Sequence, residues 1–286
     1  MRSFLQHLEQ KLGPDELISA AKALNNSYDP FKADSQIWYL LSAVFPKNIC
    51  QKFSKRMVGH KAVNEVLMAY YPGERVIKYH LVKNNLQNED EVTIFEMYVD
   101  SSRVDIGRIN GESHAYEIKT ELDSLNKLTK QIDDYSKVFE YEHVVVHERY
   151  LKSVLELLPD HCGIDVYYLS NGCWEIKTER AATISPDIDE TIQVQSLSSK
   201  DMAVLLKKAD CRDIPKTKSE RESAIFKLVP PNEIQELFKT VIKDKFAHRW
   251  NYLRHNFNSI LPIDIQMFYK CNADPNWVYY KDSFMV

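Results

Sequence analysis

The order of hydrophobic patterns between residues 60 and 180 constrains this chain more than any other feature. Residues 60–71 carry apolar side chains at helical spacing and stop at Pro72-Gly73. Short runs rich in β-branched and aromatic residues follow at 75–82, 92–99, 103–109 and 115–119. Asn84-Asn85, Asp100-Ser101-Ser102 and Asn110-Gly111 separate them, and all are turn formers. A long helix is predicted over 122–140, with Leu125, Leu128, Ile132, Tyr135 and Phe139 as one apolar stripe. A strand at 143–147, a helix at 149–158 and a hairpin of 164–169 with 173–177 around Asn171-Gly172 complete the series. Strands interrupted by helices need parallel as well as antiparallel neighbours. The expected fold is therefore α/β, a mixed central sheet flanked by helices.

The flanks read differently. Residues 1–58 are expected to form a helical N-terminal extension, with Phe4, Leu5, Leu8 and Leu12 at helical spacing, Pro14 in a first turn, and Asp34 or Ser35 capping the helix of Trp38 and Leu41. The α/β domain takes 59–180. Residues 181–198, rich in Thr, Ser, Pro and Asp, read as a linker, and 199–286 as a mainly helical region broken at Pro230-Pro231. With 7 glycines there is little room for a Gly-rich phosphate loop, and a net charge of -4 argues against a protein that coats nucleic acid passively. The five cysteines show no C-x-x-C spacing, which argues against zinc and disulfide frameworks. No secretory signal is evident, and the longest apolar stretch, 37–45, is too short for a bilayer. A cytoplasmic protein with free thiols and no membrane partner is expected.

The chemistry concentrates between Arg103 and Lys119, where one strand holds Asp105 and the next Glu117-Ile118-Lys119. Residues two apart in a strand share a face, so Glu117 and Lys119 point together. Directly opposed residues of a hairpin have a constant index sum. A two-residue Asn110-Gly111 loop would oppose Asp105 to Tyr116 and put Glu117 on the wrong face. The site therefore requires an odd loop, such as Asn110-Gly111-Glu112, or a bulge. Carboxylates converging on one point repel unless a cation lies between them, and oxygen-only ligands suit Mg²⁺, with Mn²⁺ as a substitute. Lys119 would bring positive charge to the attacking water or the developing phosphorane. Glu-x-Lys alone is cheap, as Glu175-Ile176-Lys177 after Asp165 shows; that copy is expected to be a terminal hairpin.

Four features occur in order: Glu65 in the helix at 60–71, Asp105, Glu117-x-Lys119, and Gln131-Ile132-Asp133-Asp134-Tyr135. Together they resemble the PD-(D/E)XK nuclease superfamily, its RecB-like branch with a Gln-x-x-x-Tyr helix. The resemblance covers about residues 58–180, with Val104 where the family's naming proline would stand. It implies a restriction-endonuclease-like core and a magnesium-dependent nuclease with Asp105 and Glu117 as metal ligands and Lys119 as catalytic lysine. Gln131 and Tyr135 would assist on the phosphate side, and Glu65 would be an accessory metal ligand or would orient the water. DNA is the expected partner, in repair or in defence against phage and plasmids, and a homodimer is compatible. The alternative is a degenerate member that binds nucleic acid or a protein without cutting. Elsewhere, His143 and His147 on a strand stand about 13 Å apart, too far to share zinc. Glu89-Asp90-Glu91 reads as a solvated loop, and the run from Lys207 to Arg221 as weakly basic. The aromatics around His248–His255 and Trp277, Tyr279 and Tyr280 beside Lys281 read as helix core.

Overall fold

The computed structural model describes residues 3–71, 73–170 and 173–280. Pro72, Asn171, Gly172 and Lys281, used above as a helix stop, a turn and part of an aromatic cluster, lie outside the described residues. Six helices come first: α1 (Phe4–Glu9), α2 (Pro14–Ser27), α3 (Asp34–Val44), α4 (Lys47–Phe53), α5 (Gly59–Tyr70) and α6 (Glu74–Lys83). Strands β1 (Val92–Val99), β2 (Ser102–Ile109) and β3 (Ser113–Lys119) lead into α7 (Leu128–Ser136) and β4 (Tyr141–His147). Then come α8 (Leu151–Leu157), β5 (Gly163–Ser170) and β6 (Cys173–Arg180). The chain ends with α9 (Glu190–Ser196), α10 (Ser199–Lys208), α11 (Lys218–Leu228), α12 (Pro231–Asn256), α13 (Ile265–Cys271) and α14 (Pro275–Tyr280). The fold is α/β: a six-stranded mixed sheet in the order β1 to β6, with helices around it and helical N- and C-terminal regions. Strands β1–β3 are antiparallel, whereas β3, β4 and β5 run parallel. Among the described residues no helix is long and apolar enough to cross a membrane.

Four expectations are corrected. Residues 75–82, read as a strand, form α6. Their β-branched content is a weak preference that packing overrides: Val76, Ile77, Lys78 and Val82 are buried at helical spacing, and Glu74 pairs with Lys78 one turn on. The long helix over 122–140 shortens to α7. Asp123 accepts hydrogen bonds from the Thr120 N–H at 2.8 Å and its hydroxyl at 2.7 Å, making a side-chain-closed turn at the expected helix start. Residues 181–198 are no free linker. Ser185 N–H donates to Glu140 at 2.8 Å, Asp189 N–H to Lys137 at 3.0 Å, and Gln193 and Val194 of α9 are buried. Finally, Glu91 is not solvated. It is 1% exposed and takes both ends of the Arg108 guanidinium at 2.9 and 2.6 Å.

The chain divides into two compact units, and neither matches the domain boundaries read from the sequence. The helical unit takes the chain up to Lys83 and from Tyr252 onward, together with Leu169–Trp174. The sheet unit takes most of 84–251, so α5 and α6 leave the expected 59–180 domain, while α10, α11 and most of α12 join the sheet.

The helical unit has its own core, from Phe4 and Leu8 through Ile37, Leu41 and Phe53 to Val63 and Leu67. Within it Asp264 is 1% exposed and accepts hydrogen bonds from Tyr28 at 2.9 Å and Tyr279 at 2.8 Å. Burial pushes its carboxyl up to about 7, against the two hydroxyls and Arg75, which favour the anion. The folded value lies above the roughly 3.9 of an unfolded chain. Stability from this group is thus present below the unfolded value and lost as pH rises through the folded one, by on the order of a few kcal/mol. Amide exchange in α5 should therefore accelerate between about pH 4 and pH 7, beyond its intrinsic pH dependence. Asp264→Asn, neutral throughout, should remove that extra slope. An identical slope in both proteins would contradict this reading of Asp264.

Candidate metal centre and catalytic site

Strand register decides which side chains can meet. Ile109 opposes Ser113 and Ile106 opposes Tyr116, so the β2–β3 loop holds three residues, Asn110, Gly111 and Glu112. Gly111 adopts φ 103°, a conformation that strains any L side chain. This odd loop is what the site requires: one further step of the ladder sets Asp105 opposite Glu117, on the same face. On the other side Phe95 opposes Ile106 and Met97 opposes Val104, which sets Glu96 of β1 opposite Asp105. Glu96 and Asp105 carboxylate oxygens lie within 4.8 Å of each other. A row Glu96, Asp105, Glu117 therefore crosses three strands. Glu96 has φ 57°, the left-handed region, an unusual strain for a residue inside a strand.

Glu117 is the hub. It is 3% exposed, yet both carboxylate oxygens are satisfied. Lys119 donates to Oε1 at 2.7 Å, Gln131 Nε2 to the same oxygen at 2.5 Å, and the Tyr135 hydroxyl lies 2.7 Å from Oε2. The Tyr135 hydroxyl is also 2.8 Å from the Arg103 carbonyl, so it shares its proton between two acceptors. Burial, then the Glu117 charge, push the Tyr135 phenol far above its ordinary value, so it remains a donor. Asp105 is oriented by the Ile118 N–H, which donates to its Oδ2 at 2.8 Å. Gln131 and Tyr135 lie four apart on α7, whose Leu128 and Ile132 are buried. The apolar stripe docks the helix, and its polar border reaches the carboxylate.

Five of the six residues expected from the sequence thus converge: Asp105, Glu117, Lys119, Gln131 and Tyr135. Glu65 belongs to the helical unit, on α5, where its carboxylate accepts the Leu5 N–H at 3.3 Å. Burial raises its pKa from the ordinary carboxylate range. Glu175 and Lys177 sit apart on β6, paired with Tyr168 at 3.1 Å and Glu179 at 2.8 Å, as a surface hairpin would be. His143 meets the His114 ring nitrogen at 3.2 Å and stacks on Tyr116, 4.3 Å between centroids. Sequence reasoning misses two residues of the site. Glu96 is one. Arg103, whose guanidinium lies 3.0 Å from Glu96, is the other. Index sums across β1 and β2, like those across β2 and β3, are the signal that finds Glu96.

The donor set fits a hard divalent cation. Three carboxylates face two cations, Lys119 and Arg103, and every anionic ligand is oxygen. Gln131 Oε1 is buried beside Glu117 with no hydrogen-bond partner among the described residues, an acceptor that a cation's water shell would satisfy. Glu96 and Asp105, whose oxygens already lie within 4.8 Å of each other, and Glu117, the next residue of the row, would hold such an ion.

Residues 73–268 match the family of bacteriophage P4 protein cII, 196 of the 286 positions. The chain belongs to the bacteriophage P4 protein cII family. The matched span of this cII-family chain contains Glu96, Arg103, Asp105, Glu117, Lys119, Gln131 and Tyr135, and excludes Glu65. No curated protein matches the chain. One solved structure is similar, the SPO1766 protein of unknown function from Silicibacter pomeroyi, with 18% identity and a TM-score of 0.31 over 49% of this chain and 92% of that one.

Tyr135→Phe tests the hub. It leaves a buried carboxylate oxygen and a carbonyl short of a donor, a loss of about 1–3 kcal/mol. Urea denaturation of the two proteins measures it, and a change below about 0.5 kcal/mol, the scale of an ordinary surface substitution, would mean that Tyr135 does not support Glu117.

Proposed function

We propose that this cII-family chain is a divalent-metal-dependent nuclease of the PD-(D/E)XK type, cleaving phosphodiester bonds in DNA. The observation that carries the reading is the convergence of Asp105, Glu117 and Lys119 on one sheet face, with Gln131 and Tyr135 of α7 donating to Glu117. Neither an accidental Glu-x-Lys nor a surface ion pair needs a buried hub or a helix aimed at it. When bound, Mg²⁺ would lower the pKa of a water and polarise the phosphoryl group. The protein's own groups would do the rest. Gln131 and Tyr135 fix the Glu117 carboxylate, and the Ile118 N–H fixes Asp105. Lys119, with its side chain 12% exposed at the rim, is placed to follow charge from the carboxylate to the attacked phosphate. Arg103, about half exposed beside Glu96, is a second cation able to meet a phosphate oxygen. The free cysteines Cys50, Cys162, Cys211 and Cys271 suit a reducing cytoplasm. The family takes its name from a phage protein, and conflict over phage or plasmid DNA is the setting we propose.

The test compares the true motif with its copy. Linear, circular and single-stranded DNA are incubated with the protein in Mg²⁺, Mn²⁺ or EDTA. Cleavage should need the metal. Lys119→Ala and Glu117→Ala should each lower the rate on the order of 100-fold or more. Glu175→Ala and Lys177→Ala, exposed on β6, should leave it nearly unchanged. Circular dichroism confirms folding. Full activity in EDTA, or loss of activity only in the Glu175 and Lys177 variants, would overturn the assignment. DNA binding without cleavage in the wild type would favour a degenerate member.

A further inference from the structure

The β2–β3 loop carries more responsibility than its size suggests. Its three residues set the register that puts Glu117 on the Asp105 face, and a one-residue slip would turn every β3 side chain over. Such short loops usually hold themselves. Here the tip is also held from outside. Lys239, in the middle of α12, is 5% exposed, and its ammonium donates to the Gly111 carbonyl at 2.7 Å. The same ammonium reaches Glu140 Oε1 at 3.1 Å and Glu236 at 2.8 Å. The other Glu140 oxygen accepts from the first residue of β3, Ser113, through its N–H at 2.6 Å and its hydroxyl at 3.0 Å. The Glu140 N–H donates back to the Ser113 hydroxyl at 3.0 Å. Loop tip, strand start, the segment entering β4 and α12 are thus tied by one buried ammonium and one carboxylate. Burial pulls the Lys239 ammonium down, but Glu236 and Glu140 more than offset it, so it stays charged. Burying a lysine is costly unless its partners repay it. Surface packing of α12 would not need this one.

We propose that Lys239 is a positioning residue for the Asp105–Glu117 pair, clamping the 110–112 loop so that both carboxylates stay on one face. The proposal rests on the reading of that pair as the metal site. It also gives the C-terminal helices a role, because α12 braces the candidate active-site hairpin rather than forming a separate module.

The decisive experiment uses the full chain and compares Lys239→Met with Lys245→Met. Lys245 is on the same helix and also pairs with a carboxylate, Asp201, at 2.6 Å, but that pair makes no bond to the loop. Two quantities are read. The first is hydrogen exchange of the Ile118 amide, whose acceptor is Asp105. The second is Mg²⁺ affinity by calorimetry. In Lys239→Met, Ile118 exchange should rise about tenfold, the weight of one charge-assisted hydrogen bond, while the Val145 amide of β4 keeps its rate. Mg²⁺ binding should weaken on the order of tenfold, as expected when a supporting shell is loosened. Lys245→Met should change neither. Equal Ile118 exchange in the two variants, or a parallel rise at Val145, would overturn the clamp. A selective rise at Ile118 in a protein whose wild type binds no Mg²⁺ would uphold the clamp and refute the metal-site reading. Should Lys239→Met fail to fold, Glu140→Gln, which keeps size and the Ser113 contacts, reads the same two amides, with the same outcomes for and against.

Discussion

A buried carboxylate is the constraint around which the sheet unit is arranged. Taking the Glu117 anion out of water would cost several kcal/mol without compensating donors. Its donors come from two places. Lys119 is two residues along the same strand, and Gln131 and Tyr135 come from the helix that follows. For α7 to deliver both, its apolar side must dock on the same sheet face; Leu128 and Ile132 of the helix are buried, as are Val138 and Phe139 just after it. The chain then returns as β4, parallel to β3, with Val144 beside Glu117. Charge satisfaction and hydrophobic docking thus demand the same helix placement, and this agreement marks a specified rather than incidental arrangement.

The proposed chemistry uses the same interactions in another role. A carboxylate held by an ammonium, an amide and a phenol is preorganised without a cation, so binding one needs an exchange of partners rather than a rebuilding of the site. Lys119 is the partner best able to move, on a flexible stem near the rim, whereas Tyr135 is fully buried. The row from Glu96 to Glu117 leaves one more negative charge than Lys119 and Arg103 neutralise, a deficit that a divalent cation would convert into a surplus attractive to phosphate.

How much was legible in the sequence follows from which forces are local. Index sums made the face of Glu117 depend on one unknown, the length of the β2–β3 loop: Asn110-Gly111 alone would have turned Glu117 away, and only the observed pairing of Ile109 with Ser113 fixes three loop residues. Gln131 and Tyr135 were legible through helical spacing. Residues 75–82 misled because β-branched residues prefer strands only weakly, and burial of Val76 and Ile77 on a helix outweighs that preference. The start of α7 was hidden in the Asp123 side chain, which closes a turn that apolar spacing does not register. Glu91 looked solvated because its partner, Arg108, is 17 residues away and only strand pairing brings them together. The parting of α12 between two units was invisible because no local punctuation marks it: the helix runs unbroken from Pro231 to Asn256, while the division falls between Asn251 and Tyr252.

Everything proposed for the site depends on Asp105 and Glu117 sharing one divalent cation. Anomalous scattering from crystals of the protein grown with Mn²⁺ tests this most directly, because it locates the ion without reference to activity. The prediction is a strong peak bonded to both carboxylates, on the side of Glu96. A saturating Mn²⁺ concentration with no peak between Asp105 and Glu117, or a peak only at some other carboxylate cluster, would contradict it.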